Sequence, residues 1–197
     1  MLLKVVTQIL NKMIYNSAGH HNLDSGAVAI YKGKLIKENE NAVIIRNKIS
    51  ARLKERGYSF IIDKDTETLS EYLKRIKPGN GSVGCEHHLN ASTNAKATGV
   101  EVVVKNNANA NSIAIAKDLA KGISSLTGIP LRNGNGVITE NDTHRGKLGL
   151  LHKEGTWVLI EYGFITNPND MDKLYANLDK VCAFVADTLI VYEDKIK

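Results

Sequence analysis

The chain has 197 residues, with 26 Lys and Arg against 21 Asp and Glu, so its net charge is +5. Length fits one domain that buries roughly 70% of its unfolded surface, and 43% hydrophobic with 24% charged residues is ordinary globular composition. No apolar run approaches the roughly 20 residues of a membrane helix, two cysteines are too few for a disulfide framework, and 6% aromatics argue against a base-stacking surface.

Met1 to Asn11 reads as a short helix or lead-in. Lys4 precedes a short apolar run with no small-residue cleavage site, so no signal peptide is expected. Lys12 to Ser17 reads as a strand, and Ala18-Gly19-His20 turns out of it. Tyr31-Lys32-Gly33-Lys34 is a turn. From Asn39 to Arg56 the apolar positions Ala42, Ile45, Ile49 and Leu53 recur at helical spacing, and Gly57 stops the run.

Tyr58 to Ile62 predicts a strand, and Thr66 to Lys77 an amphipathic helix carrying Leu69, Tyr72, Leu73 and Ile76. After the turn Pro78-Gly79-Asn80-Gly81, Ser82 to His88 predicts a buried strand and Gly99 to Val104 another. The Asn-rich stretch Asn106 to Asn111 is a capping loop before a helix from Ser112 to Leu126. Asn133 to Gly136 is a turn pair and Thr139 to Gly149 a polar segment. Thr156 to Tyr162 is the last strand, and Asn169 to Glu193 closes the chain as a helix on Leu174, Leu178, Val181, Cys182, Val185 and Leu189. The expected fold is α/β: one domain over residues 1–197, core about 12–190, with a twisted, mostly parallel (mixed) sheet of about six strands and helices on both faces.

Histidines and carboxylates gather at the ends of these elements. A catalytic zinc takes three protein ligands, commonly His nitrogen and carboxylate oxygen, and keeps a fourth position open. His20 and His21 follow the first strand, and His87 and His88 end the strand that begins near Ser82. Alternation puts Glu86 and His88 on one strand face and His87 on the other. Extending the apolar face of the Asn39 helix back one turn lands on Glu38, whereas Glu40 runs with Ile44, Asn47 and Ala51. A carboxylate serving the helix N-terminus would suit either. Glu161 is the only charged residue of its strand, and such a group is costly without a partner. Cys85 and Cys182 read as buried thiols.

Gly19-His20, Asp24-Ser25-Gly26-Ala27-Val28, a helix-initial Glu, His88-Leu89-Asn90-Ala91-Ser92 and Val158 to Asn167 occur in that order. This arrangement resembles the zinc-dependent N-acetylmuramoyl-L-alanine amidases of the amidase-3 type, found in autolysins and phage endolysins, from about Met13 to about Leu189. The resemblance implies one Zn2+ held by His20, Glu38 and His88, with Glu161 as the catalytic glutamate. It implies peptidoglycan as substrate, cut between N-acetylmuramic acid and L-alanine. Glu86 is expected to orient a ligand, and His144 or Arg145 to assist an oxyanion. Where many relatives carry Thr-Arg, this chain has Asp63-Lys64.

No cell-wall-binding module is expected after Glu193. The basic charge would hold the enzyme near anionic wall polymers. The expected role is that of an endolysin, monomeric, without nucleic acid or stable membrane insertion, kept in the host cytoplasm until lysis. A carboxypeptidase-type zinc peptidase and a non-catalytic wall-binding domain are the competing readings.

Overall fold

Short β-branched and aromatic runs build one six-stranded sheet: β1 (Ile14–Ser17), β4 (Phe60–Ile62), β5 (Val83–Asn90), β6 (Glu101–Val104), β7 (Val137–Thr139) and β8 (Thr156–Phe164). The computed structural model describes residues 13–196, and the expected lead-in at Met1 to Asn11 lies outside them. The strand order is β4-β1-β5-β8-β6-β7. Every neighbouring pair is parallel except β6, which runs antiparallel to β8. A separate hairpin joins β2 (Val28–Tyr31) to β3 (Lys34–Lys37). Lys32 and Gly33 at its turn both have positive φ, the backbone that a tight two-residue hairpin requires.

Four helices are present among the described residues: α1 (Glu38–Glu55), α2 (Leu69–Arg75), α3 (Ala110–Thr127) and α4 (Pro168–Lys195). Their limits follow local chemistry. Thr68 and Glu71 form a capping box that starts α2 later than the periodicity suggests. The same helix ends at Arg75, because Ile76 is already extended two residues before Pro78. Asn109 caps α3 by accepting from Ser112 N, and Gly128 ends it in the left-handed region. Asn167 accepts from Asn169 N and Asp170 N ahead of Pro168, which opens α4.

Alternation along β5 and β8 divides the interior. Val83, Cys85, Leu89, Val158, Ile160 and Tyr162 pack with α1, α3 and α4, including Ile49, Leu53, Leu119, Ile123, Val185 and Leu189. Each fully buried aliphatic side chain of this kind contributes about 1.5–3 kcal/mol. The opposite face carries a smaller cluster of Tyr15, Val103, Trp157 and Leu159 under Tyr72 of α2 and Leu150 and Leu151 of a 3-10 turn. Helices therefore lie on both faces, but unequally. The thinly covered face is the one toward which Glu86, His88 and Glu161 alternate.

Candidate metal centre and catalytic cleft

His20, Glu38 and His88 each present one ligand atom, and these atoms all lie within 4.8 Å of one another. They come from three places: the loop after β1, the first residue of α1 and the end of β5. All three residues are buried. Two glycines allow this crowding. A Cβ on Gly19 would stand 2.3 Å from His88 Nε2, and one on Gly26 would stand 2.5 Å from Glu38 Oε2 and 2.7 Å from His20 Nε2. Both residues also have positive φ, which favours glycine independently.

Two backbone donors fix the Glu38 carboxylate. Ala27 N donates to Oε2 at 2.8 Å, and Leu89 N donates to Oε1 at 3.1 Å. Burial alone would raise the Glu38 carboxyl, but His20 and His88 outweigh it and hold the group far below the usual carboxylate range. Glu40 is instead exposed and pairs with Lys37 at 3.2 Å, so the helix-start carboxylate in the cluster is Glu38.

His20 is oriented by a residue that pattern reading missed. Asp24 Oδ2 lies 2.9 Å from His20 Nδ1, leaving Nε2 3.1 Å from Glu38 Oε1. That Nε2 is buried and makes no well-formed hydrogen bond. A carboxylate behind one ring nitrogen with the other left for an ion is the usual arrangement around a metal-bound histidine. His88 sits between carboxylates, with Nδ1 2.8 Å from Glu38 Oε1 and Nε2 3.8 Å from Glu86 Oε2. Burial lowers its pKa, yet Glu38, Glu86 and Glu161 push it up to about 10. The local excess of carboxylates suits a cation, and the donor set fits a divalent metal.

Glu161 faces His88 in register across the β5–β8 ladder, and Glu101 of β6 faces Glu161 on its other side. Its Oε2 is buried without a hydrogen-bond partner. Burial, with Glu38 and Glu101 adding and His88 opposing, pushes the carboxyl up to about 8. It lines a cleft of about 180 Å³ with His88, Asn90, Glu101, Arg132, His144 and Arg145. His144 and Arg145 thus stand on the cleft wall, and the sequence does not single out Asn90, Glu101 and Arg132 beside them. The apolar run from Gly99 to Val104 gives no sign that Glu101 faces a cleft.

The other candidates are accounted for. His21 lies at the loop surface, where its Nδ1 accepts from Leu23 N at 3.3 Å. His87 faces the helical side. Asn16 Nδ2 donates to Arg46 O, so Asn16 Oδ1 must accept from His87 Nε2 at 2.6 Å, and His87 Nδ1 then accepts from Tyr162 OH at 2.9 Å. Burial holds this ring neutral by lowering its pKa to about 3. Asp63, at the position of the Thr-Arg departure, accepts from Ala18 N and Arg46 Nη1 and so anchors the start of the His20 loop. Cys85 and Cys182 are free and buried.

The sequence profile of the N-acetylmuramoyl-L-alanine amidase family matches residues 14–187. The chain belongs to this family. Among curated proteins, the uncharacterized protein YqiI of Bacillus subtilis is 27% identical over 169 residues, covering 84% of this chain and 76% of YqiI. The fold is shared with the N-acetylmuramoyl-L-alanine amidase of Clostridium difficile 630, at TM-score 0.76 and 21% identity over 95% of this chain and all of that one. The catalytic domain of CwlV, the amidase of Bacillus (Paenibacillus) polymyxa var. colistinus, aligns at TM-score 0.74 and 23% identity, covering 94% and 99% of the two chains. As an amidase of this family, the chain is an enzyme, and peptidoglycan fits as its substrate.

Proposed function

We propose that this amidase is zinc-dependent, with His20, Glu38 and His88 holding the ion and Glu161 moving the proton. The bond cut is the amide joining the lactyl carbonyl of N-acetylmuramic acid to the L-alanine nitrogen of the stem peptide. One observation carries the assignment of Glu161: an unpartnered buried carboxylate oxygen stands in register with a member of the metal-binding cluster and opens onto the cleft.

Zinc, when bound, supplies Lewis acidity that polarises a carbonyl and makes a water acidic near neutral pH. Glu161 Oε2 takes the proton of the attacking water and then delivers it to the departing L-alanine nitrogen. Burial favours the protonated carboxyl that donates to the leaving amine, and a cation held by the neighbouring cluster would favour the carboxylate that takes the proton. Asp24 holds His20 in orientation, while Ala27 N and Leu89 N keep Glu38 from rotating.

The test compares wild type with Glu161→Ala at matched zinc content on a soluble muramyl peptide, following new L-alanine amine. A loss of about 10²–10⁴-fold supports the assignment. Undiminished activity in the variant overturns the role of Glu161, and release of amino acids from the peptide end by wild type overturns the substrate. For the cellular role we propose an endolysin, acting as a monomer from the host cytoplasm. Expression in a bacterial host with and without a membrane-opening protein tests it, lysis being expected only with both.

A further inference from the structure

Arg132 lines the same cleft from the turn that packs beyond β6, and its placement is over-determined for a surface arginine. Val100 and Leu131 form a bridge, Val100 N donates to Pro130 O at 2.8 Å, and Arg132 N donates to Val100 O at 2.9 Å. Gly99 lets the two segments close, since a Cβ there would stand 2.9 Å from Arg132 Cβ. The guanidinium lies 4.6 Å from the centroid of the Phe164 ring. Its Nε is 3.1 Å from Glu101 Oε2, and Glu101 Oε1 is tied to Asn90 Nδ2 at 2.6 Å.

These contacts hold the stem, one face and the inner nitrogen, and they do not consume the outer fork. Neither terminal nitrogen of Arg132 makes a hydrogen bond among the described residues, and Glu101 Oε2 accepts none in good geometry. A planar fork with its outer edge free is the donor array that fits a carboxylate in two parallel hydrogen bonds. Electrostatics argue the same way. Glu161 and Glu101 are adjacent in register on the cleft wall, so an anionic substrate needs a fixed cation to approach them.

Building on the amidase reading, we propose that Arg132 receives a carboxylate of the stem peptide. It is the α-carboxylate left free on a γ-linked acidic second residue, and Arg132 thereby makes the enzyme discriminate free from amidated stems. That residue follows the L-alanine whose nitrogen departs, so its carboxylate lies a few bonds from the scissile amide. Arg132 is thus a specificity residue that touches substrate away from the reacting atoms.

The experiment uses two soluble muramyl dipeptides, identical except for an α-carboxylate or a carboxamide on the second residue, with the zinc-loaded enzyme. Wild type is expected to favour the carboxylate by about tenfold or more in kcat/KM. Arg132→Gln should lower kcat/KM for the carboxylate substrate about 10–100-fold more than for the carboxamide, mainly through KM. A thermal melting curve matching that of wild type reports that the variant is folded. Arg132→Lys should recover only part of the preference, because it keeps charge without the fork. Equal wild-type rates on both substrates, equal losses on both in Arg132→Gln, or loss of the preference in Arg145→Gln instead, would each overturn the proposal. Hydrolysis of neither substrate by wild type would remove the amidase reading itself, a result distinct from any of these.

Discussion

Asp24 Oδ2 lies 2.9 Å from Nδ1 of His20, and this contact turns the other ring nitrogen toward Glu38. Because Asp24 is half-exposed, it contributes little to packing and acts mainly on the orientation of the ring. If the cluster holds zinc as proposed, Asp24→Ala should weaken its binding about 10–100-fold, read by competition with a chelator. Thermal stability of the metal-free protein should stay within about 1 °C of wild type. Affinity unchanged within twofold would show that the cluster orients His20 without help.

Glu140 is a buried carboxylate that accepts from Asn106 N, Leu148 N and His152 Nε2, tying the end of β6 to the segment carrying His144 and Arg145. Burial raises its pKa, but these three donors outweigh burial and hold the group below its ordinary value. The unfolded chain therefore takes up the proton first as pH falls. The stabilisation is complete above the ordinary carboxylate pKa of about 4.3 and is lost as pH drops through the lower native value. Amide exchange at Asn106 and Leu148, corrected for the intrinsic pH effect, should accelerate below about pH 4.3. Glu140→Gln should show faster exchange at neutral pH and no such acid step. Equal protection in the variant at neutral pH would rule out this tie.

Gly84 of β5 faces the indole of Trp157, and a Cβ built there would stand 2.0 Å from the ring. The indole cannot easily retreat, since its Nε1 donates to Glu154 O at 2.8 Å and its ring packs at 5.3 Å from that of Tyr15. Gly84→Ala should cost about 1–3 kcal/mol through overpacking, a fall of about 2–12 °C in Tm for a chain of this size. An unchanged melting temperature would mean that the Trp157 layer is softer than its contacts indicate.

Periodicity made much of this legible. The spacing from Leu53 back through Ala42 leads to Glu38, and strand alternation separates His88 from His87, both as the structure has them. The hairpin strands β2 and β3 escaped because Val28, Ile30 and Leu35 are exposed, so no alternation marks an inward face. Asp24 sits in a loop, where a carboxylate has no period to betray it. The partners of His87, Asn16 and Tyr162, lie 71 and 75 residues away, a separation no local pattern spans. Nothing in the sequence marks Arg132, and only the bridge between Val100 and Leu131 brings it beside Glu101.

The reversed direction of β6 has a consequence for how this architecture can diversify. Running against β8, it brings the start of one strand, Glu101, level with the end of another, Glu161. Because β7 runs parallel to β6, the connections entering β6 and entering β7 both open at the sheet end that carries Glu161. The two are pinned to each other where Gly99 closes on Arg132 and Arg132 N donates to Val100 O. Residues inserted between such anchors would cost little in chain-closure entropy. They would drape over the substrate and leave the chemistry in place, so new wall chemotypes could be met by lengthening loops with no change to the sheet.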